Sequence, residues 1–203
     1  MRLANDANCL AVSEATDGAA AGAGVVFAVI LGTGCGGGLV VQGTLVTGAN
    51  AIGGEWGHNP LPQPSDEERP GPGCYCGRSG CIESFLSGPG LAADYARRTR
   101  MSDVTAERVV ADAQAGVPVA MATLEAWEDR MARSLATIIN VADPNVIVVG
   151  GGLSRVSRIF ENVPARWGQY IFSDHVVTRF VPAAHGDASG VRGAAWLWGR
   201  DKA

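Results

Sequence analysis

Clustered positive charge is almost absent from this sequence. Lys and Arg number 16 against 20 Asp and Glu, for a formal charge of −4, and the one basic cluster is Arg97, Arg98 and Arg100. A nucleic-acid surface needs a basic patch that meets phosphates; on a helix this triplet is a solvated face, so nucleic acid is not an expected partner. Long hydrophobic runs are missing too. The longest, residues 25–31, falls far short of the roughly 20 residues of a membrane-spanning helix, so no membrane is expected. Met1-Arg2-Leu3-Ala4 leads straight into Asn5-Asp6 without a charged and then apolar leader. The five cysteines are an odd number, and three of them lie within residues 74–81. That argues against a disulfide framework and for a reducing compartment, with the cytoplasm as the expected location. Neither a P-loop nor the dinucleotide-binding glycine fingerprint is present. What remains is globular in composition, with 47% apolar and 18% charged residues in a chain of 203, long enough for one domain with a full core.

Local patterns order the chain. Residues 7–16 read as a helix capped by Asn5 or Asp6, ended by the Gly/Ala-rich stretch 18–24. An apolar run at 25–31 has strand length, and 38–42 with 44–47 reads as a hairpin turning at Gln42-Gly43. Between them lies Gly32-Thr33-Gly34-Cys35-Gly36-Gly37-Gly38, expected as a flexible loop. Residues 58–82 are rich in Pro, Gly and Cys and lack periodicity, a loop that something must organise. Helical spacing follows at 91–100, 106–115 and 117–142, stopped by Asp143-Pro144. A buried strand at 146–149, a turn at Gly150-Gly151-Gly152, a helix at 155–171, a strand at 176–181 and a helix at 191–198 complete an α/β order.

The strongest chemical signal is His58 followed by Cys74, Cys76 and Cys81. Imidazole and thiolates are the ligands zinc prefers, and three cysteines with one histidine close a tetrahedral structural site. Gly73, Gly77 and Gly80 supply the backbone freedom such a knot requires. The other glycine clusters are ambiguous by themselves. Residues 32–38 read either as N–H donors for phosphates or as a glycine-rich hairpin turn, and 150–152 as a close approach to a ligand or a tight turn. Asn5 and Asp6 read locally as caps. Glu55 precedes His58 by three residues and Glu83 follows Cys81 by two, so a metal would pin the loop that both carboxylates flank. They suit a hydroxyl-rich ligand or a surface role.

Together these segments resemble the ROK family (repressors, open reading frames and kinases). The likeness covers essentially the whole chain. It rests on Asn5-Asp6-Ala7-Asn8, on residues 31–38, on Gly53-Gly54-Glu55-Trp56-Gly57-His58, and on residues 74–83 from Cys74 to Glu83. Within the family, residues 57–62, 83–88 and 185–198 look most like bacterial fructokinases of the manno(fructo)kinase type.

The resemblance implies the actin-like (ribonuclease-H-like) ATPase fold and ATP-dependent phosphorylation of a hexose, fructose first, with Mg²⁺ accompanying ATP. It makes Asp6 the general base and gives Asn5, Glu55, His58 and Glu83 to the sugar. His58 would serve both zinc and sugar. Gly32, Thr33, Gly34, Gly36 and Gly37 would face the ATP phosphates, and Gly150, Gly151 and Gly152 the nucleoside. A homodimer is expected. The family also contains sugar-responsive repressors with a helix-turn-helix, which leaves a sugar-sensing regulator or an inactive remnant as alternatives; an intact Asp6 and glycine loop favour the kinase. Family members open with a lobe of about a hundred residues (the size of a small domain) bearing Asp-x-Gly-Gly-Thr. Against that pattern, residues 1–203 are expected to be the C-terminal lobe, with zinc-binding loop 58–83, a final helix whose Trp196, Leu197 and Trp198 pack against the first lobe, and no sugar phosphorylation without it.

Overall fold

A computed structural model describes residues 4–196. Its central strand is β1, Val25–Leu31. Consecutive, largely β-branched apolar residues suit an extended chain covered on both faces, and that is where β1 lies. It pairs antiparallel with β2, Cys35–Val41. β2 pairs with the short β3, Thr44–Leu45, across Gln42 and Gly43, whose φ values of 49° and 72° match the twist of a two-residue hairpin. On its other side β1 runs parallel to β4, Val146–Gly150, which is parallel to β5, Arg179–Pro182. The sheet order is β3-β2-β1-β4-β5.

Side-chain alternation along the strands creates two layers. Phe27, Val29 and Leu31 join Ile147 and Val149 in the larger core. It is covered by α2 (Ile82–Leu86), α3 (Gly88–Thr99), α4 (Ala106–Gln114), α5 (Pro118–Ala142) and α6 (Ile159–Trp167). Val26, Ala28, Val146 and Val148 face the other way, onto Leu10 and Ala11 of α1 (Asp6–Asp17). α7, Ser189–Trp196, packs against α1. At their crossing a Cβ on Gly193 would stand 1.7 Å from the Cys9 carbonyl oxygen, so only a glycine permits the approach.

The same crossing is tied by Glu14, fully buried on α1. Its carboxylate accepts from Ala19 N–H at 2.8 Å, Ala184 N–H at 3.0 Å, His185 N–H at 3.3 Å and the Ser189 hydroxyl at 2.8 Å. Burial would push this carboxyl up, but those donors outweigh it and hold it below the usual carboxylate range.

Several boundaries differ from expectation. The loop after β1 is only residues 32–34, because Cys35 to Gly38 already pair with β1. The helix expected at 155–171 is divided. A 3₁₀ turn, Gly152–Arg155, is followed by α6 and by a second turn, Gly168–Tyr170; Pro164 inside α6 lacks an N–H, and Gly168 closes it. The strand expected at 176–181 is β5, three residues later at its start. α7 begins two residues before the expected 191, and its described face meets α1; Leu197 and Trp198 lie outside the described residues. Val191, on its outer side, is 78% exposed. Among the described residues no helix is long and apolar enough to cross a membrane.

Candidate active site

The parallel strands β1 and β4 end side by side, and both run into glycine turns at that edge. Gly151 has a φ of 84°, and a Cβ there would sit 2.4 Å from the Leu31 carbonyl oxygen. The turn after β4 therefore lies directly on the end of β1. Gly88 N–H donates to Gly32 O at 2.8 Å, which brings the N-terminus of α3, capped by the Ser87 hydroxyl, against the first turn. A cavity of about 790 Å³ opens here between α3, α4 and the two turns, with Gly32, Thr33, Thr105, Glu107 and Gly152 in its lining.

The glycines divide by role. Gly32 and Gly152 line the cavity, while Gly150 packs on Leu10, which a Cβ would approach to 2.9 Å. Gly36 and Gly37, expected to face phosphates, are strand residues instead. Gly36 faces Ala7, and a Cβ on Gly37 would stand 2.6 Å from Gly54 O and 2.7 Å from the Trp56 ring. Their bareness admits α1 and the Trp56 segment to the sheet; Trp56 Nε1–H donates to Gly36 O at 3.0 Å.

At the start of α1, Asn5 is the cap. Its Oδ1 accepts Asn8 N–H at 2.7 Å, and its Nδ2 donates to Glu55 Oε1 at 2.9 Å. Asp6 opens the first turn with an exposed carboxylate that accepts Ala7 N–H at 2.8 Å. Glu83, in the first turn of α2, accepts Cys35 N–H at 2.9 Å. A Cβ on Gly34 would meet its Oε2 at 2.8 Å, so the glycine leaves room for the carboxylate over the turn.

His58, Cys74, Cys76 and Cys81 come together with one ligand atom each, all within 4.8 Å of one another. His58 Nδ1 is 3.6 Å from Cys74 Sγ, and Cys76 Sγ is 3.6 Å from Cys81 Sγ. A tetrahedral ion with metal–sulfur bonds of about 2.3 Å spaces its sulfurs by about 3.8 Å, so the quartet fits a metal ion. Without an ion, the Arg78 side chain and backbone N–H pull the Cys76 thiol down to about 6, while burial pushes its neighbour Cys81 up to about 11.

Two features of this region lie outside the expectations from sequence. Tyr75, between two of the cysteines, places Oη 2.8 Å from His58 Nε2; the Cys-Tyr-Cys spacing is the clue that points to it. With Thr33, Glu83 and Pro89 it lines a second cavity of about 280 Å³. Thr33 and Pro89 belong to both cavities, so the two meet at the glycine turn. The other feature is Glu68. Arg130 Nε donates to it at 2.7 Å and Arg133 Nη2 at 2.9 Å, while Arg133 Nη1 also holds the carbonyls of Pro62 and Gln63. Arg130 continues to Asp94 at 2.7 Å. The loop around the His58 and cysteine cluster is thus anchored to α5 at its middle.

The family model described as the ROK family matches residues 1–201. The chain belongs to the ROK family. N-acetyl-D-glucosamine kinase of Yersinia enterocolitica is 39% identical over 201 residues, covering 97% of this chain and 66% of that protein. Among solved structures, the ROK hexokinase from Thermus thermophilus superposes with a TM-score of 0.85 at 30% identity, over 95% of this chain and 63% of that one. The ROK family glucokinase from Streptomyces griseus, in complex with glucose and AMPPNP, gives 0.84 at 25% identity, over 96% and 67%. The five-stranded mixed sheet with its helices is therefore the actin-like fold of ROK kinases. The chain spans about two thirds of the length of these relatives, and the curated one is named for N-acetyl-D-glucosamine rather than fructose.

Proposed function

We propose that this chain carries the sugar- and nucleotide-binding parts of an ATP-dependent hexose kinase. The observation that carries this reading is the meeting of the two cavities at Thr33. One is bounded by the turns at the ends of β1 and β4 and has room for a nucleoside. The other is lined by Glu83 beside the metal cluster. A phosphoryl group passing between two ligands needs such a junction, with donors already in place. The N–H groups of Thr33 and Gly34, in the turn after β1, supply them.

In this reading ATP enters with Mg²⁺ and lies along Gly32, Thr33 and Gly152. Asn5, Glu55, His58 and Glu83 hold the sugar hydroxyls, and Asp6 removes the proton from the attacking one. The chain, residues 1–203, forms the C-terminal lobe of a two-lobed kinase, working in the cytoplasm as a homodimer without nucleic-acid partners. His58, Cys74, Cys76 and Cys81 hold a zinc ion, which when bound fixes the loop and the His58 tautomer. Cys76→Ser is expected to abolish stoichiometric zinc in metal analysis and to open the exposed 73–80 segment to trypsin at Arg78. The amides of Ser65 and Glu68 should stay protected from hydrogen exchange, because Arg133 and Arg130 hold Glu68 independently. Full zinc occupancy after the change would overturn the ligand assignment.

Fructose is the hexose favoured by residues 57–62, 83–88 and 185–198, whereas the Yersinia relative favours N-acetyl-D-glucosamine. Coupled ADP-release assays of the full-length protein with fructose, mannose, glucose and N-acetyl-D-glucosamine test the reading. Fructose is expected to give the highest kcat/KM, with mannose second. A preference for N-acetyl-D-glucosamine would move the substrate to that sugar, and no turnover or binding with any of them would end the kinase reading.

A further inference from the structure

His58 Nε2 is the nitrogen that the proposed function gives to the sugar, yet it already has a partner. Tyr75 Oη lies 2.8 Å from it, and the rings meet edge to face with centroids 5.0 Å apart. Chain geometry dictates this placement. Cys74 N–H donates to Arg78 O at 2.7 Å and Gly77 N–H to Cys74 O at 3.0 Å, which bends residues 74–78 into one tight turn. Cys74 and Cys76 direct their sulfurs into the cluster, and the side chain between them is left to lie over the far edge of the imidazole. A tautomer that offers Nδ1 to a metal carries its proton on Nε2, so the imidazole donates and Tyr75 Oη accepts.

Tyr75 is 84% exposed. A tyrosine ring left in water at the rim of a cavity gains little from packing on its own chain. Its hydroxyl, however, stands where a sugar hydroxyl would accept the same N–H. Glu83, from the same cavity lining, completes the polar wall.

We propose that Tyr75 sets the affinity and specificity of the sugar site: its hydroxyl occupies His58 Nε2 in the free protein, and a hexose binds by displacing it. The inference rests on the kinase reading, because it takes His58 as a sugar ligand. A ligand that must compete with an internal partner binds more weakly by the fraction of time that partner is absent. A sugar lacking a well-placed oxygen cannot displace the phenol, so the exchange also discriminates among sugars.

Tyr75→Phe separates the hydroxyl from the ring. In the zinc-loaded full-length protein, calorimetry should show the hexose Kd falling about two- to tenfold, the size of one exposed hydrogen bond. The gain should fall in KM and not in kcat, and zinc content should stay at wild type. A second readout needs no turnover: in ¹⁵N-histidine spectra of the sugar-free protein, the His58 Nε2 resonance should move in Tyr75→Phe. Adding hexose should move it in the wild type and leave less to change in the variant. A hexose Kd that is unchanged or raised, with wild-type turnover intact, would overturn the role of Tyr75 alone. A wild-type protein that binds no hexose would overturn the kinase reading and this role with it.

Discussion

Asparagine in place of Asp6 is expected to leave a folded protein whose turnover has fallen by a factor of about 10²–10⁴, the contribution of a lost general base. The two side chains have nearly the same size and shape, and Asn5 rather than Asp6 caps the helix, so the capping hydrogen bond from Asn8 N–H survives. What is lost for folding is one negative charge in the first turn of α1, worth about 0.3–1 kcal/mol against the helix dipole. Denaturation midpoint and kcat, measured on the same preparations, should therefore separate cleanly: little movement in the first and a collapse in the second. Most of the activity surviving would show that another group takes the proton. Glu55, which accepts from Asn5 Nδ2 at 2.9 Å, would be the next to test.

Glu68→Gln should cost about 1.5–3 kcal/mol, because it takes a shared carboxylate from two buried guanidinium groups that keep Asp94 and Asp129 as partners. Arg130, Arg133 and Glu68 have side chains only 6%, 7% and 8% exposed. The neutral amide would leave the two interior guanidinium groups with Asp94 and Asp129 as their remaining counter-ions. Against a total stability of about 5–15 kcal/mol for a typical domain, the loss is large, and urea denaturation measures it. Wild-type acid sensitivity should follow from the same residue. Burial would push the Glu68 carboxyl up, but hydrogen bonds from Arg133 and Arg130 outweigh it and bring it down to about 2, from an ordinary 4.5. A carboxyl depressed in the folded state stabilises fully above its ordinary value and loses that contribution as pH falls through the folded one. From pH 4.5 to about pH 2, roughly 3 kcal/mol should disappear. Glu14 and Asp94, also held low by their donors, add in the same direction. A Glu68→Gln protein within about 1 kcal/mol of wild type would place this network among the buried ion pairs that contribute little net stability.

Local chemistry made much of this molecule legible. β1 was bounded to the residue because an unbroken apolar run between glycines has few other homes, and ligand type and spacing singled out the four residues whose ligand atoms the fold brings together. Gly36 and Gly37 misled because glycine marks both phosphate contact and close packing, and only the position of α1 and Trp56 separates the two. The Glu68 network had no such signature. Its partners stand more than sixty residues apart, and an acidic residue in a Pro-rich loop looks like any solvated one. Tyr75 was hidden differently: the cysteines on either side explained the segment so fully that the ring between them attracted no separate reading.

The crossing of α1 and α7 has a consequence for the order in which the protein is made. The helix that bears Asp6 is made before β1 and β2, and one of its faces can settle on them once residue 41 has emerged. Its other face is completed only by residues 184–193, through the Glu14 carboxylate and the bare Cα of Gly193. Contacts of that sequence separation form late because a long loop has to close first. Until residues 184–193 have emerged, then, the Asn5-Asp6 corner rides on a half-docked helix with Glu14 still exposed to solvent. The nascent chain completes that edge of its site only when those distant residues arrive.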